Sequence, residues 1–285
     1  MSKIIWLASY PKSGNTWFRA FLSNLRHDSD TPVSINALEG ASAASRELFH
    51  DAVGIESFAL TPPEIERLLP TVFESVAAQS DGALFLKMHD AYTRTRDDHS
   101  RVPEQATQGA IYFLRNPLDL AISFAHHLGT NIDTAIDRMA DERHALADDP
   151  GRVHRQLRQP LRSWSSHVLS WLDGPGFPVH VIRYEDMAKT PAETFAAAAC
   201  FAGLPCDPGP LDKALRFSAF AELQRQEQAY GFVDRPARAQ SFFRRGQAGE
   251  WRTALSVGQV ARIVSDHGTV MRRCGYLNAD GTPVY

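Results

Sequence analysis

Ile4-Ile5-Trp6-Leu7-Ala8-Ser9-Tyr10-Pro11-Lys12-Ser13-Gly14-Asn15-Thr16-Trp17-Phe18-Arg19-Ala20-Phe21-Leu22-Ser23-Asn24-Leu25 changes character twice. Ile4 to Ala8 is short and continuously apolar, the pattern of a strand buried on both faces. Ser9 to Gly14 is rich in turn formers. Trp17, Phe18, Phe21, Leu22 and Leu25 then recur at helical spacing, with Asn15, Arg19, Ser23 and Arg26 on the opposite face. The order is strand, loop, helix.

Working outward, the same grammar repeats. Ala83-Leu84-Phe85-Leu86 runs into Lys87-Met88-His89, Ala110-Ile111-Tyr112-Phe113-Leu114 into Arg115-Asn116, and Val179 to Ile182 into Arg183-Tyr184. Helix starts are expected at Thr61-Pro62-Pro63-Glu64, at Thr190-Pro191-Ala192-Glu193 and at Ser256 to Gln259. Strands alternating with helices predict an α/β fold with a mostly parallel sheet covered on both sides. Ligands in such folds bind beyond the carboxyl ends of the strands, where these polar clusters fall. Residues 26–60, 91–108, 141–160 and 229–243 have weaker periodicity and are expected to form loops, short helices or a lid. Without an internal repeat or linker, residues 1–285 are expected to form one domain.

Composition narrows the function classes. Hydrophobic residues are 44 % and charged residues 22 %, which excludes a disordered or coiled-coil chain. A net charge of −3 gives no global attraction to nucleic acid or anionic membrane, so an anion site must be local. Cys200, Cys206 and Cys274 fit neither a disulfide framework nor a metal spacing, and are expected to be small buried side chains. No apolar run reaches the roughly 20 residues of a membrane span, and Ile4 to Ala8 is too short for a signal-peptide core. The expectation is a soluble protein of the reducing cytoplasm.

Lys12-Ser13-Gly14-Asn15-Thr16 lies between a buried strand and a helix N-terminus, where unpaired N–H groups and the helix dipole favour a phosphate or sulfate. Gly14 permits close backbone approach, Thr16 can donate a hydroxyl and Lys12 brings a mobile charge. Read alone, an ordinary strand-to-helix turn stays open. The loop is not G-x-x-x-x-G-K-[ST], and no Asp ends an early strand to organise Mg²⁺; Lys87 stands there, and Asp186 is displaced along the chain.

Lys87 and His89, two apart at a strand end, share a face. Such a pair can be proton acceptor and charge stabiliser, or a structural histidine beside a surface lysine. Arg115 precedes Asn116-Pro117, a helix cap and first residue, and Asn116, Asp119 and Ser123 fall on one helical face. Arg115 can grip a phosphate or pair with Asp119. His126-His127 suit a helix C-terminus as cations. Phe242-Phe243-Arg244-Arg245-Gly246-Gln247-Ala248-Gly249-Glu250-Trp251 joins paired arginines to flexible glycines. No set of His, Cys or carboxylates has metal-ligand spacing.

Together, Tyr10-Pro11-Lys12-Ser13-Gly14-Asn15-Thr16-Trp17, Lys87-x-His89, Arg115 with Ser123 eight residues on, Tyr184-Glu185-Asp186 and the Arg244-Arg245-Gly246 loop resemble, in order, the sulfotransferases that use 3′-phosphoadenosine 5′-phosphosulfate (PAPS). The resemblance spans residues 4 to about 252. Asn15 replaces a common Thr, Arg245 a Lys and Glu250 an Asp.

The resemblance implies a three-layer α/β/α sulfotransferase fold related to P-loop NTPases. It also implies sulfuryl transfer from PAPS to a hydroxyl, or less readily an amine, of a small molecule, releasing adenosine 3′,5′-bisphosphate (PAP) without a metal. It assigns the 5′-phosphosulfate to Lys12, Ser13, Gly14, Asn15 and Thr16, and the adenine to Trp17 and Tyr184. Arg115, Ser123, Arg244, Arg245 and Gly246 would hold the 3′-phosphate, with looser nucleotide matches at Ser218 and Phe220. His89 would be general base, Lys87 would assist at the sulfonyl oxygens, and Ser123 would restrain Lys12 until acceptor arrives.

The family's short dimerisation segment is degenerate here: Arg252 and Ser256-Val257 fit, but Ala261 stands where Glu is usual, so the oligomeric state stays open. A small-molecule P-loop kinase and a catalytically inactive nucleotide-binding protein are the alternatives. Segments 26–60, 91–108 and 229–243 are expected to line the acceptor side, with Phe49, Phe58, Tyr92, Tyr230 and Phe232.

Overall fold

The computed structural model describes residues 3–95, 98–149 and 154–285. Residues 96–97 of the expected 91–108 acceptor segment, and 150–153 of the weakly periodic 141–160 stretch, lie outside the described residues. The chain forms two compact units, Met1–Tyr10 with Gly40–Tyr112 and Asp141–His180, and Pro11–Glu39 with Phe113–Ala140 and Val181–Tyr285.

A five-stranded sheet, of which β1, β2 and β3 lie in the first unit, is made of β1 (Ile4–Ser9), β2 (Ala41–Ser42), β3 (Leu84–Met88), β4 (Thr107–Leu114) and β7 (Val179–Arg183), in the order β2-β3-β1-β4-β7. β3 runs parallel to β1, with Ile5 opposite Phe85 and Ala8 opposite Met88, and parallel to β2. Every residue of β1 is buried, as a strand covered on both faces requires. β1 has β3 on one side and β4 on the other, which makes its carboxyl end a switch point. β4 starts earlier than the apolar run Ala110–Leu114, and at its first residue the Thr107 hydroxyl accepts the Trp6 indole N–H at 3.0 Å. The unit also holds α2 (Arg46–Val53), α3 (Pro62–Gln79), the ribbon β5 (Ala145–Leu146) with β6 (Gln159–Pro160), and α6 (Trp164–Asp173). At the start of α3 the Thr61 N–H and hydroxyl both donate to Glu64.

The second unit contains α1 (Asn15–His27), α4 (Pro117–Leu128), α5 (Ile132–Ala140), α7 (Tyr184–Lys189), α8 (Pro191–Phe201), α9 (Pro208–Phe217), α10 (Phe220–Tyr230), α11 (Trp251–Ala254) and α12 (Val257–Arg273). Phe18, Phe21, Phe113 and Phe195 pack ring against ring at its centre. A second cluster gathers Ala20, Ile35, Leu223, Phe232 and Phe243.

α4 starts as the sequence predicts, with the Asn116 side chain accepting the Leu118 N–H and Pro117 as first helical residue. Ser256 and Gln259 cap α12 reciprocally. Thr190 differs: its hydroxyl turns back to the Asp186 carbonyl, because the residue that starts α8 also closes α7.

The cysteines also depart from expectation. Cys200 and Cys206 are exposed and joined by a disulfide, with Cα atoms 5.8 Å apart across the turn between α8 and α9. Only Cys274, partly buried, is a free thiol. Among the described residues no helix is long and apolar enough to cross a membrane.

Candidate active site

The loop leaving β1 is bent by two left-handed residues, Lys12 at φ 71° and Gly14 at φ 104°. Turns of this kind draw successive N–H groups into an anion-binding concavity. A Cβ on Gly14 would lie 3.0 Å from Tyr184 Cδ2 and 3.2 Å from Met187 Sδ, so glycine is required by contact as well as by φ. Gly14 precedes α1 and brings no side chain to cap it, which leaves first-turn N–H groups for an anion. Ser13, Asn15 and Thr16 are buried beside it, and the Ser13 hydroxyl has no hydrogen-bond partner.

Arg115, also buried, donates from Nη1 to the Lys12 carbonyl at 3.0 Å and lies over the Tyr184 ring at 4.1 Å. Its Nε has no partner. A buried donor left unmade costs about 1–3 kcal/mol, so Ser13 Oγ and Arg115 Nε mark where a bound anion would be satisfied. The residues present fit a phosphorylated nucleotide.

The ion pair weighed for Arg115 does not form. Asp119 instead accepts the backbone N–H groups of Gly249 and of Trp251, the latter at 2.9 Å, and so ties the arginine-glycine loop to α4. In that loop Glu250 pairs with Arg244 through both terminal guanidinium nitrogens and lies 3.4 Å from Arg245. Gly246, at φ 66°, would bring a Cβ to 2.6 Å from the Phe220 ring. Lys12 Nζ sits 3.6 Å over the Phe242 ring, a cation–π contact.

Trp17 donates its indole N–H to the Ser218 carbonyl at 3.0 Å and meets Tyr184 and Phe195 edge-on. The Ser218 hydroxyl itself turns back to the Ala214 carbonyl at 2.8 Å. A shallow open recess is lined by Lys12, Ser123, His126, His127, Phe242 and Arg244 among others. Burial, then the nearby Arg244 charge, lowers the His126 pKa. The positions of His126 and His127, three and four residues after Ser123, place them with it on one side of α4.

In the first unit, Lys87 and His89 are partly exposed while Met88 and Asp90 between and beyond them are buried, so the expected shared face is formed. His89 Nδ1 lies 2.9 Å from the Ser9 carbonyl oxygen and 3.2 Å from Ser9 Oγ. A carbonyl can only accept, so Nδ1 carries the proton and Nε2 holds the lone pair of the neutral ring. Asp90 is buried against Arg101 at 2.9 Å, and burial raises its pKa to about 6. Among the described residues no group of three or more His, Cys, Asp or Glu side chains could hold a metal.

The sulfotransferase-domain family model matches residues 2–275. The chain belongs to the sulfotransferase family. Flavonol 3-sulfotransferase of Flaveria bidentis is 23 % identical over 279 residues, covering 91 % of this chain and 78 % of that protein. The crystal structure of mouse sulfotransferase SULT7A1 complexed with PAP covers 96 % of this chain and 88 % of its own, at 20 % identity and TM-score 0.60. Retinol dehydratase in complex with androsterone and inactive cofactor PAP covers 94 % and 80 %, at 17 % identity and TM-score 0.61. At these identities the structures share the fold.

In this sulfotransferase the aromatic residues expected on the acceptor side divide. Phe49, Tyr92 and Phe232 are buried, whereas Phe58 and Tyr230 are more than two-thirds exposed.

Proposed function

We propose that this PAPS-dependent sulfotransferase moves the sulfuryl group to a hydroxyl of a small-molecule acceptor by in-line displacement, with His89 as general base. The acceptor oxygen forms a bond to sulfur as the bond from sulfur to the bridging phosphate oxygen breaks. His89 Nε2 takes the hydroxyl proton, and PAP leaves with the negative charge. The Ser9 carbonyl favours this role, since it fixes the tautomer whose lone pair is on Nε2. Lys12, the loop N–H groups and Thr16 stabilise charge growing on the leaving phosphate, and Lys87 assists at the sulfonyl oxygens.

Arg115, Ser123, Arg244, Arg245 and Gly246 hold the 3′-phosphate, and Trp17 and Tyr184 border the adenine. Ser218 contributes through its carbonyl grip on Trp17 and Phe220 by packing against Gly246. Ser123 restrains Lys12 before the acceptor arrives. Residues 1–285 act as one sulfotransferase domain, with acceptor-side segments in 26–60, 91–108 and 229–243.

The observation that carries the reading is the pair of buried, unpartnered donors Ser13 Oγ and Arg115 Nε beside the glycine-bent loop. A flavonol-named relative and an androsterone-bound neighbour support a hydroxylated, largely apolar acceptor. PAP is expected to raise the melting temperature and 5′-AMP to raise it far less at equal concentration, with EDTA without effect on either. Equal shifts would remove the 3′-phosphate pocket. A cytoplasmic location belongs to the same proposal, with the Cys200–Cys206 disulfide as the observation that weighs against it; fractionation of cells tests it, and recovery outside the cytoplasm overturns it.

A further inference from the structure

The segment that leaves β3 is held from one side of α6. His167 and Trp171, one turn apart on that helix, reach two successive main-chain carbonyls: His167 Nε2 lies 3.0 Å from the His89 oxygen, and Trp171 Nε1 2.9 Å from the Asp90 oxygen. Both side chains are fully buried. A carbonyl oxygen only accepts, so His167 must carry its proton on Nε2. The neutral ring then accepts at Nδ1, and the Tyr112 hydroxyl, 2.9 Å away, donates there. Burial keeps His167 neutral by lowering its pKa to about 4. Tyr10 covers the ring edge-on at 5.4 Å.

We propose that His167 is a positioning residue for His89, acting as a neutral donor that fixes the 89–90 peptide plane and so the angle at which the His89 ring meets the Ser9 carbonyl. The proposal rests on His89 as general base for its purpose, though not for its test. With the peptide plane fixed, Nδ1–H points at Ser9 and the lone pair stays on Nε2. With the plane released, the bond to Ser9 lengthens, and the Nε2–H tautomer, which cannot accept a proton at Nε2, fills in. Trp171 is the second anchor of the same clamp.

The test uses the full chain with ¹⁵N-labelled histidine, reading the tautomer of His89 by two-bond ring correlations above its titration. His89 is expected as a single Nδ1–H tautomer in the wild type and in His167→Gln, whose amide can still donate. His167→Phe is expected to convert roughly a fifth or more of the rings to Nε2–H, and Trp171→Phe a smaller share. PAP affinity stays within about twofold throughout, since its site is elsewhere. A single Nδ1–H tautomer in both His167→Phe and Trp171→Phe overturns the proposal, as does a His167→Gln protein that behaves like His167→Phe. If His167→Phe does not fold, Trp171→Phe decides alone. Near-normal transfer by His89→Ala would instead overturn the base assignment and leave the tautomer result standing.

Discussion

Lys12, Arg244 and Arg245 rest against side chains that a ligand can replace: an aromatic ring and a carboxylate. His89 and His167 are tied to main-chain carbonyls, which no ligand carries away. The first arrangement holds positive charge in exchangeable contacts, so under the proposed reading an anion would trade places with Phe242 and Glu250. The second is held by the backbone, with His167 fully buried, and changes little until a proton moves. Donor binding should therefore respond to salt and to competing anions, while orientation of the His89 ring should not.

The hardest test of that contrast is chemical. His89→Ala is expected to lower single-turnover transfer by about a hundredfold or more while leaving calorimetric PAP affinity nearly intact. Lys12→Ala should damage both, because Lys12 serves the ground state and the transition state. Loss of PAP affinity in His89→Ala would erase the distinction.

Next in size is the exchange itself. Arg115→Ala should weaken PAP by roughly 10- to 100-fold, the range for a charge-assisted bond, and Arg245→Ala by less because Arg245 is exposed. Affinity for 5′-AMP should hardly change in Arg245→Ala. A uniform loss for both nucleotides would mean that the loop is a general cation and not a 3′-phosphate grip.

Gly14→Ala addresses the shape of the anion loop. Strain at φ 104° and the approach to Tyr184 should lower stability by about 1–3 kcal/mol, read by denaturant unfolding. An unchanged midpoint would show that the loop relaxes freely.

The smallest effects belong to pH and separate two buried groups of the first unit. Asp90, raised from 3.8 to about 6, binds its proton more tightly folded than unfolded, so its contribution to stability falls as pH rises through that window. His167, lowered from 6.5 to about 4, does the reverse, and its contribution is lost as pH falls from 6.5 toward 4. The stability of the wild type relative to Asp90→Asn should thus decline between pH 4 and 6, and relative to His167→Gln it should climb. Parallel curves would mean that neither group titrates as its burial implies.

Local pattern made the β1-loop-α1 unit legible, since an apolar run, a glycine turn and a helical stripe each announce themselves over a few residues. Arg115, Lys87 and Arg183 were legible because each directly follows such a run. The fate of Asp119 was not, as its partners Gly249 and Trp251 lie 130 and 132 residues away and are backbone groups with no sequence signature. The grip of His167 on the His89 carbonyl was hidden for the same reason, across 78 residues. Cys200 and Cys206 were different: only six residues apart around Gly203-Leu204-Pro205, they had a turn able to bring them together, and counting cysteines over the whole chain concealed it.

α4 places Asn116 at its cap, Asp119 in its first turn, and Ser123, His126 and His127 further along, so one rigid rod sets the spacing of the cap, the loop anchor and the recess wall. Each added residue turns a helix by about 100°. A change of length is therefore more damaging here than a change of letter. Inserting one alanine between Asp119 and Ser123 alters no functional side chain, yet it swings Ser123 and both histidines off the recess while Asp119 stays in place. Natural variation in this helix should accordingly consist of substitutions, with insertions and deletions confined to the loop beyond Leu128.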